Sequence, residues 1–298
     1  MNHSLNKIKG IGIICVVLGH IILGSVHDNI LRYIIYSFHM PLFFFVSGWL
    51  LNLDKLRMLS TKHFIEKYGK RMLLWWFFAW LVYDGSFLII HLHELNLELI
   101  IKHILSPYYH LWFVPGLFVT ISFVWFLLRF FSMANTHVVA LTICVGFLFL
   151  MLINTEHLPD NTIIRKYNFL FLSIGIFCKQ LNINRLNTYR GGVIFMIFLF
   201  SIILTFLLEI KETSAYNVLY LICLATAFSP IIKNDSLSHN FFLEWLGRNS
   251  LQIYLWHVIP IVFLKYFFAN CEVIYYSVSS ILFISFFFIA YTFTEKRY

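Results

Sequence analysis

Apolar runs of about 16 to 22 residues recur from one end of the chain to the other, separated by short polar stretches. An α-helix rising 1.5 Å per residue needs about 20 residues to cross a hydrocarbon core of about 30 Å, so each run has the length of one crossing. None alternates with the period of two that outer-membrane strands require. The pattern predicts an all-α, polytopic integral membrane protein. About ten transmembrane helices are expected, at 9–26, 33–53, 72–90, 111–131, 138–153, 167–180, 192–210, 215–232, 249–268 and 273–294. After the first run, Gly24-Ser-Val-His-Asp28 is a poor cleavage site, so that run reads as a retained signal anchor. Residues 1–298 are then one transmembrane domain with no soluble domain appended. Neither an internal repeat nor a matching pair of Gly/Pro-broken helices is present, such as marks many secondary transporters.

Composition agrees with this reading and narrows it. Hydrophobic residues make up 60% of the chain and charged ones 12%, with a mean hydropathy of +0.80; a soluble domain has no interior large enough for so much apolar surface. The net charge of +8 is best explained by side of the membrane, because Lys and Arg collect in cytoplasmic loops; no nucleic-acid partner is implied. With the N-terminus inside, sixteen of the 22 Lys and Arg fall in inner segments and five in outer ones, with Lys265 near the outer end of the ninth span. Both termini are thus expected in the cytoplasm. The five cysteines form no CxxC pair, so neither a disulfide framework nor a metal site is expected.

Two loops are long enough to do more than turn the chain. The inner stretch 54–71, DKLRMLSTKHFIEKYGKR, sets six Lys/Arg against Asp54 and Glu66, and its LSTKHFIEKY part suits a helix lying on an anionic lipid leaflet. It reads either as a positive-inside signal or as a docking surface for a phosphorylated cytosolic ligand, with Lys70 and Arg71 best placed for the latter. In the outer stretch 91–110, Leu95, Leu99, Ile100 and Ile104 have helical spacing and predict a short interfacial helix ending before Pro107.

An ionisable group inside a span costs free energy and needs a reason. His20, His39 and Asp84 all fall in the expected outer half, and His110 lies at the outer mouth of the fourth span, so the four are expected to share one polar site. His257 follows about two turns into the ninth span, where Asn249 or Ser250 is expected to cap the helix start. Lys9 and His20 are eleven residues apart, close to three turns, and so share one face about 16 Å apart along the axis. Gly12 and Gly19 make a neighbouring smooth stripe. Pro41 leaves the Ser37 carbonyl without its helical partner, which predicts a bend beside His39.

Four segments, KGIGIICVVLGH at 9–20, YSFHMPLFFFVSGWLL at 36–51, YHLWFVPGLF at 109–118 and LGRNSLQIYLWHVIP at 246–260, make the chain resemble the membrane-bound acyltransferase-3 family. These are the O-acyltransferases of bacterial surface glycans, and the wording of the first two segments is most similar to the fucose 4-O-acetylase-like branch. The family's motif of an arginine, ten residues and a histidine is kept in spacing with His20, but Lys9 replaces the arginine. Lysine keeps the charge and loses the planar two-point grip on phosphate. Lys70 and Arg71 match the basic residues that the family carries before its third span.

The resemblance implies acetyl transfer from cytoplasmic acetyl-CoA, as substrate and not as a bound cofactor, to a hydroxyl of an O-antigen, capsule or lipid-linked glycan. It also implies a multi-pass protein of the bacterial inner membrane, with membrane lipid around it. On this reading His20 is the general base, with His39 and Asp84 assisting. Lys9, Lys70 and Arg71 hold the CoA phosphates. His110, Trp112, Asn249, Ser250, Tyr254 and His257 line the acceptor side. The alternatives from other classes are a proton-coupled transporter or flippase for a glycolipid or small anion, and a non-catalytic assembly partner.

Overall fold

The computed structural model describes residues 3–26, 28–152, 163, 167–180, 188–207, 228, 231–232, 237 and 240–295. The elements among them are all helical: α1 (His3–Ile21), α2 (Ile30–Leu50), α3 (Leu53–Arg57), α4 (Thr61–Ile90), α5 (Leu97–Leu105), α6 (Phe113–Phe130), α7 (Asn135–Leu152), α8 (Asn168–Gln180), α9 (Thr188–Leu207), α10 (Phe241–Arg248), α11 (Ser250–Trp256), α12 (Val258–Phe268) and α13 (Glu272–Glu295). Six segments among the described residues are long and apolar enough to cross a membrane: α1, α2, α4, α6, the α11–α12 run Ser250–Phe268, and Glu272–Ile289 of α13. Helices α7, α8 and α9 coincide with the expected fifth, sixth and seventh spans. The expected eighth, 215–232, lies outside the described residues except for 228 and 231–232.

Three local expectations are corrected. The stretch 59–68 does not make a separate surface helix; Ser60 caps a helix that runs unbroken from Thr61 to Ile90. Thirty residues reach about 45 Å, well beyond a hydrocarbon core. Its first turns are held along α6, because Phe64 is buried and stacks on Trp125 with centroids 4.4 Å apart. The first helix begins at His3 rather than at residue 9, and Leu5, Lys7 and Ile8 are already buried. At the start of α11 neither Asn249 nor Ser250 caps. Asn249 Nδ2 donates back to the Trp245 carbonyl (2.9 Å) and Ser250 Oγ to that of Gly247 (3.0 Å), which ties α11 to α10 instead. The short helix expected in 91–110 is α5, capped by Asn96, whose side chain accepts from the Leu99 N–H (2.7 Å), and closed at Ser106 before the proline.

The chain divides into two compact units. One holds the described residues of Met1–His39, Leu199–Ile210 and Ile231–Tyr298; the other holds those of Met40–Phe198 and Lys211–Pro230. In the first, α1 lies against α10 at backbone distance. A Cβ on Gly10 would meet the Leu243 carbonyl, and one on Gly247 the Asn6 carbonyl. Lys7 is 1% exposed, and its ammonium donates to the Leu237 carbonyl (2.7 Å), so its charge stays hydrogen-bonded inside the unit. In the second unit the same device joins the later part of α2 to α8, with Gly48 against the Leu172 carbonyl and Gly175 against that of Phe45. Small residues that let backbones approach are the usual basis of helix association in lipid, where burial of apolar surface gives no drive.

Candidate functional site

The first unit gathers three buried histidines around the end of α1. His20 is one residue short of that end, where helical carbonyls lose their intrahelical donors. Side chains supply the missing donors: Tyr275 Oη donates to the Ile21 carbonyl (2.8 Å), and Arg32 Nη1 to those of Ile22 (3.2 Å) and Gly24. A cation there also suits the negative end of the helix dipole. The other arm of the guanidinium, Nη2, donates to Tyr36 Oη (3.4 Å), and its carbon lies 5.2 Å from the Tyr36 ring centroid. Tyr36 Oη in turn shares a hydrogen bond with His20 Nδ1 (3.2 Å). Arg32, Tyr36 and His39 stand at positions i, i+4 and i+7 of α2 and therefore on one face.

The rings are packed closely. His20 and His257 have centroids 4.9 Å apart, and Tyr36 lies edge-on to both His20 (5.8 Å) and His39 (5.2 Å). Hydrogen bonding decides where two of the protons sit. His39 Nδ1 faces the Ile35 carbonyl (2.6 Å), and His257 Nδ1 faces those of Tyr254 (2.8 Å) and Ile253 (3.1 Å). A carbonyl only accepts, so both Nδ1 atoms carry the hydrogen, and in the neutral ring Nε2 holds the lone pair. His257 sits at the junction between α11 and α12, with the Tyr254 ring 6.1 Å away. Of the residues expected at the acceptor side, Tyr254 and His257 are thus in this cluster, whereas Asn249 and Ser250 serve the α10–α11 joint.

Asp84 belongs to the second unit and serves a different ring. It is buried within a π-helical stretch, Leu81–Gly85, of α4. Its Oδ1 accepts from His103 Nδ1 (2.7 Å), and its two oxygens accept the Tyr108 backbone N–H at 3.0 and 2.9 Å. His110 is buried edge-on to Tyr83 (5.1 Å), and Trp112 is buried, stacking on Phe44 (6.4 Å). Lys9 is half-buried on α1 in the first unit, while Lys70 and Arg71 are exposed on α4 in the second. Of the four residues expected in one polar site, His20 and His39 lie in the first unit and Asp84 and His110 in the second.

Sequence reading passed over Arg32, Tyr36 and His103. The first two carried a legible signal, since their spacing puts them on His39's face. His103 did not, because a histidine on a short amphipathic helix looks like an interfacial residue until its partner is known.

The chain matches the family model of an acyltransferase domain, acyltransferase-3, over residues 2–294. Curated proteins and solved structures gave no match. With a match that spans nearly the whole length and helices suited to repeated membrane crossing, the protein belongs to the acyltransferase-3 family of membrane acyltransferases.

Proposed function

We propose that this acyltransferase moves an acetyl group from cytoplasmic acetyl-CoA to a hydroxyl of a surface or lipid-linked glycan, with His20 as general base. The observation that carries the reading is the buried imidazole cluster at the end of α1, in a chain of this family. A hydroxyl attacks a thioester poorly until a base takes its proton, and a neutral imidazole buried away from bulk water suits that task. His20 Nε2 holds a lone pair when Nδ1 keeps its hydrogen and donates it to Tyr36 Oη. That oxygen has two lone pairs, one for His20 and one for the Arg32 N–H. The acceptor's proton then passes to His20 Nε2, its oxygen bonds to the thioester carbonyl carbon, and the C–S bond breaks. The imidazolium returns the proton to the leaving CoA sulfur. His39 and His257, with fixed Nε2 lone pairs, orient the acceptor.

In this reading the chain crosses the bacterial inner membrane about ten times with both termini in the cytoplasm. Lys9, Lys70 and Arg71 are the candidate contacts for the CoA phosphates, each to be tested alone. His110 and Trp112 are candidates for the acceptor path. The deciding assay is release of CoA from labelled acetyl-CoA by purified protein, dependent on a glycan acceptor. His20→Ala is expected to bring acceptor-dependent release to background at unchanged membrane level. Retained transfer in that variant would remove His20 from the role, and substrate flux without any acyl-CoA requirement would favour a transporter.

A further inference from the structure

The Asp84–His103 pair is unexplained by a base at His20. A fully buried carboxylate costs free energy unless hydrogen bonds satisfy it, and Asp84, 0% exposed, bonds among the described residues to the ring of His103 and the backbone N–H of Tyr108. One carboxylate thereby fixes a side chain of α5 and the irregular segment between α5 and α6 in mutual register. Trp80 Nε1 donates to the His103 carbonyl (3.0 Å), and Phe87 packs on the imidazole with centroids 5.0 Å apart. The ring is locked, with 20% of its side chain open to the outside. Because Nδ1 donates to Asp84, the neutral ring holds its lone pair at Nε2.

Beside it, Tyr108 has one face covered by Tyr83, stacked at 5.5 Å and 11°, and is 40% exposed. Tyr109 follows at 6.1 Å and 46°, is 47% exposed, and holds φ at 45°, the left-handed region that non-glycine residues rarely enter. Such backbone strain, like the π-helical turn that carries Asp84, persists where the surroundings over-determine it and gathers at binding sites. The two exposed rings make an aromatic corner, and the carboxylate that holds the Tyr108 backbone also holds the His103 ring. Burial, with Tyr109 and the Asp84 charge adding to it, pushes the Tyr108 phenol above its usual range, so this hydroxyl stays a neutral donor.

We infer that Tyr108, Tyr109 and His103 form a binding corner for a pyranose ring of the acceptor, positioned by Asp84; the inference rests on the glycan-acylation reading. A pyranose has an apolar C–H face, which the negative π face of tyrosine attracts, and a rim of hydroxyls, one of which donates to His103 Nε2. An interfacial tyrosine belt accounts for exposed tyrosines, but it needs no buried carboxylate beneath them.

The test is saturation-transfer NMR on the purified full chain with methyl α-glucoside, α-galactoside and α-mannoside, which requires no acyl donor. Wild type is expected to saturate the ring C–H protons of at least one. Tyr108→Ala or His103→Gln should weaken that binding about fivefold, the size of one aromatic or hydrogen-bond contact, while Tyr108→Phe keeps most of it. No saturation with any glycoside in wild type, or equal saturation in Tyr108→Ala and His103→Gln, overturns the corner. Thermal unfolding in detergent confirms that each variant is folded. Sugar binding that depends on His103 in a protein inactive with acetyl-CoA would keep the corner and discard the acetyl-transfer reading; normal transfer with an unchanged acceptor KM in Tyr108→Ala would do the reverse.

Discussion

Arg32 works through one planar group on two neighbours: it satisfies carbonyls beyond the end of α1 and reaches the hydroxyl that touches His20. Its fork allows both, and a lysine ammonium in its place would serve one at a time. Tyr36→Phe isolates the second function, since the ring stays against His39 while the oxygen at His20 Nδ1 is lost. We expect kcat to fall about tenfold, in line with one hydrogen bond, with KM for acetyl-CoA and membrane level unchanged. If Tyr36 merely fills space, Phe will match wild type; steady-state kinetics on the two proteins separates these outcomes. Arg32→Lys should lower both kcat and thermal stability, because carbonyls past the α1 end lose a donor as well. This stripe was open to sequence reasoning, as 32, 36 and 39 share a helical face. The partner of Asp84 was not, because no periodicity within one helix says which ring another helix will bring to it.

At the scale of elements, six of the expected spans were legible because about 20 apolar residues have few other uses. What packs on them was less so. The sequence reading gave Gly12 and Gly19 as the smooth stripe of α1; Gly19 does lie against the Ile35 and Tyr36 side chains of α2, and Gly10, which that reading passed over, meets the Leu243 backbone. The difference comes from α10, an eight-residue helix too short to register as a hydrophobic run, which nevertheless covers the first turns of α1. The joint makes a sharp prediction. Gly247→Ala places a methyl group against the Asn6 carbonyl, where neither backbone can yield cheaply, and should destabilise by about 1–3 kcal/mol, read as a lower unfolding temperature in detergent. Gly85→Ala is the control: the nearest atoms to its Cβ are at 3.8 Å, an ordinary contact, so the same substitution in a helix should be close to neutral or slightly stabilising. Equal losses at both positions would show that helix backbone, and not the α1–α10 approach, sets the cost.

For the molecule as a whole, the sidedness of α1 decides what the chemistry has to accomplish. Lys9 and His20 lie on one helix about 16 Å apart along its axis, Lys9 in its first half and His20 one residue short of its end. If the N-terminus is cytoplasmic, as sixteen inner Lys and Arg against five outer ones predict, the proposed mechanism keeps the charged nucleotide of acetyl-CoA at the Lys9 end while its thioester reaches inward toward His20. If the orientation is reversed, His20 lies nearer the cytosol, and neither a cytosolic donor nor an external acceptor meets it as proposed. Cysteine labelling in intact cells settles this. In a background with the native cysteines replaced by alanine, His93→Cys, in the exposed turn before α5, should react with an impermeant maleimide added outside. Lys62→Cys, exposed in the first turn of α4, should react only after the membrane is opened. An odd number of crossings would still place Lys62 inside and move the C-terminus outside, so once the labelling has fixed the orientation, a reporter fused after Tyr298 tests whether the number of crossings is even, as about ten requires. The opposite labelling pattern would transfer the donor-binding role from the Lys9 end of α1 to the His20 end, and with it the side from which acetyl-CoA enters.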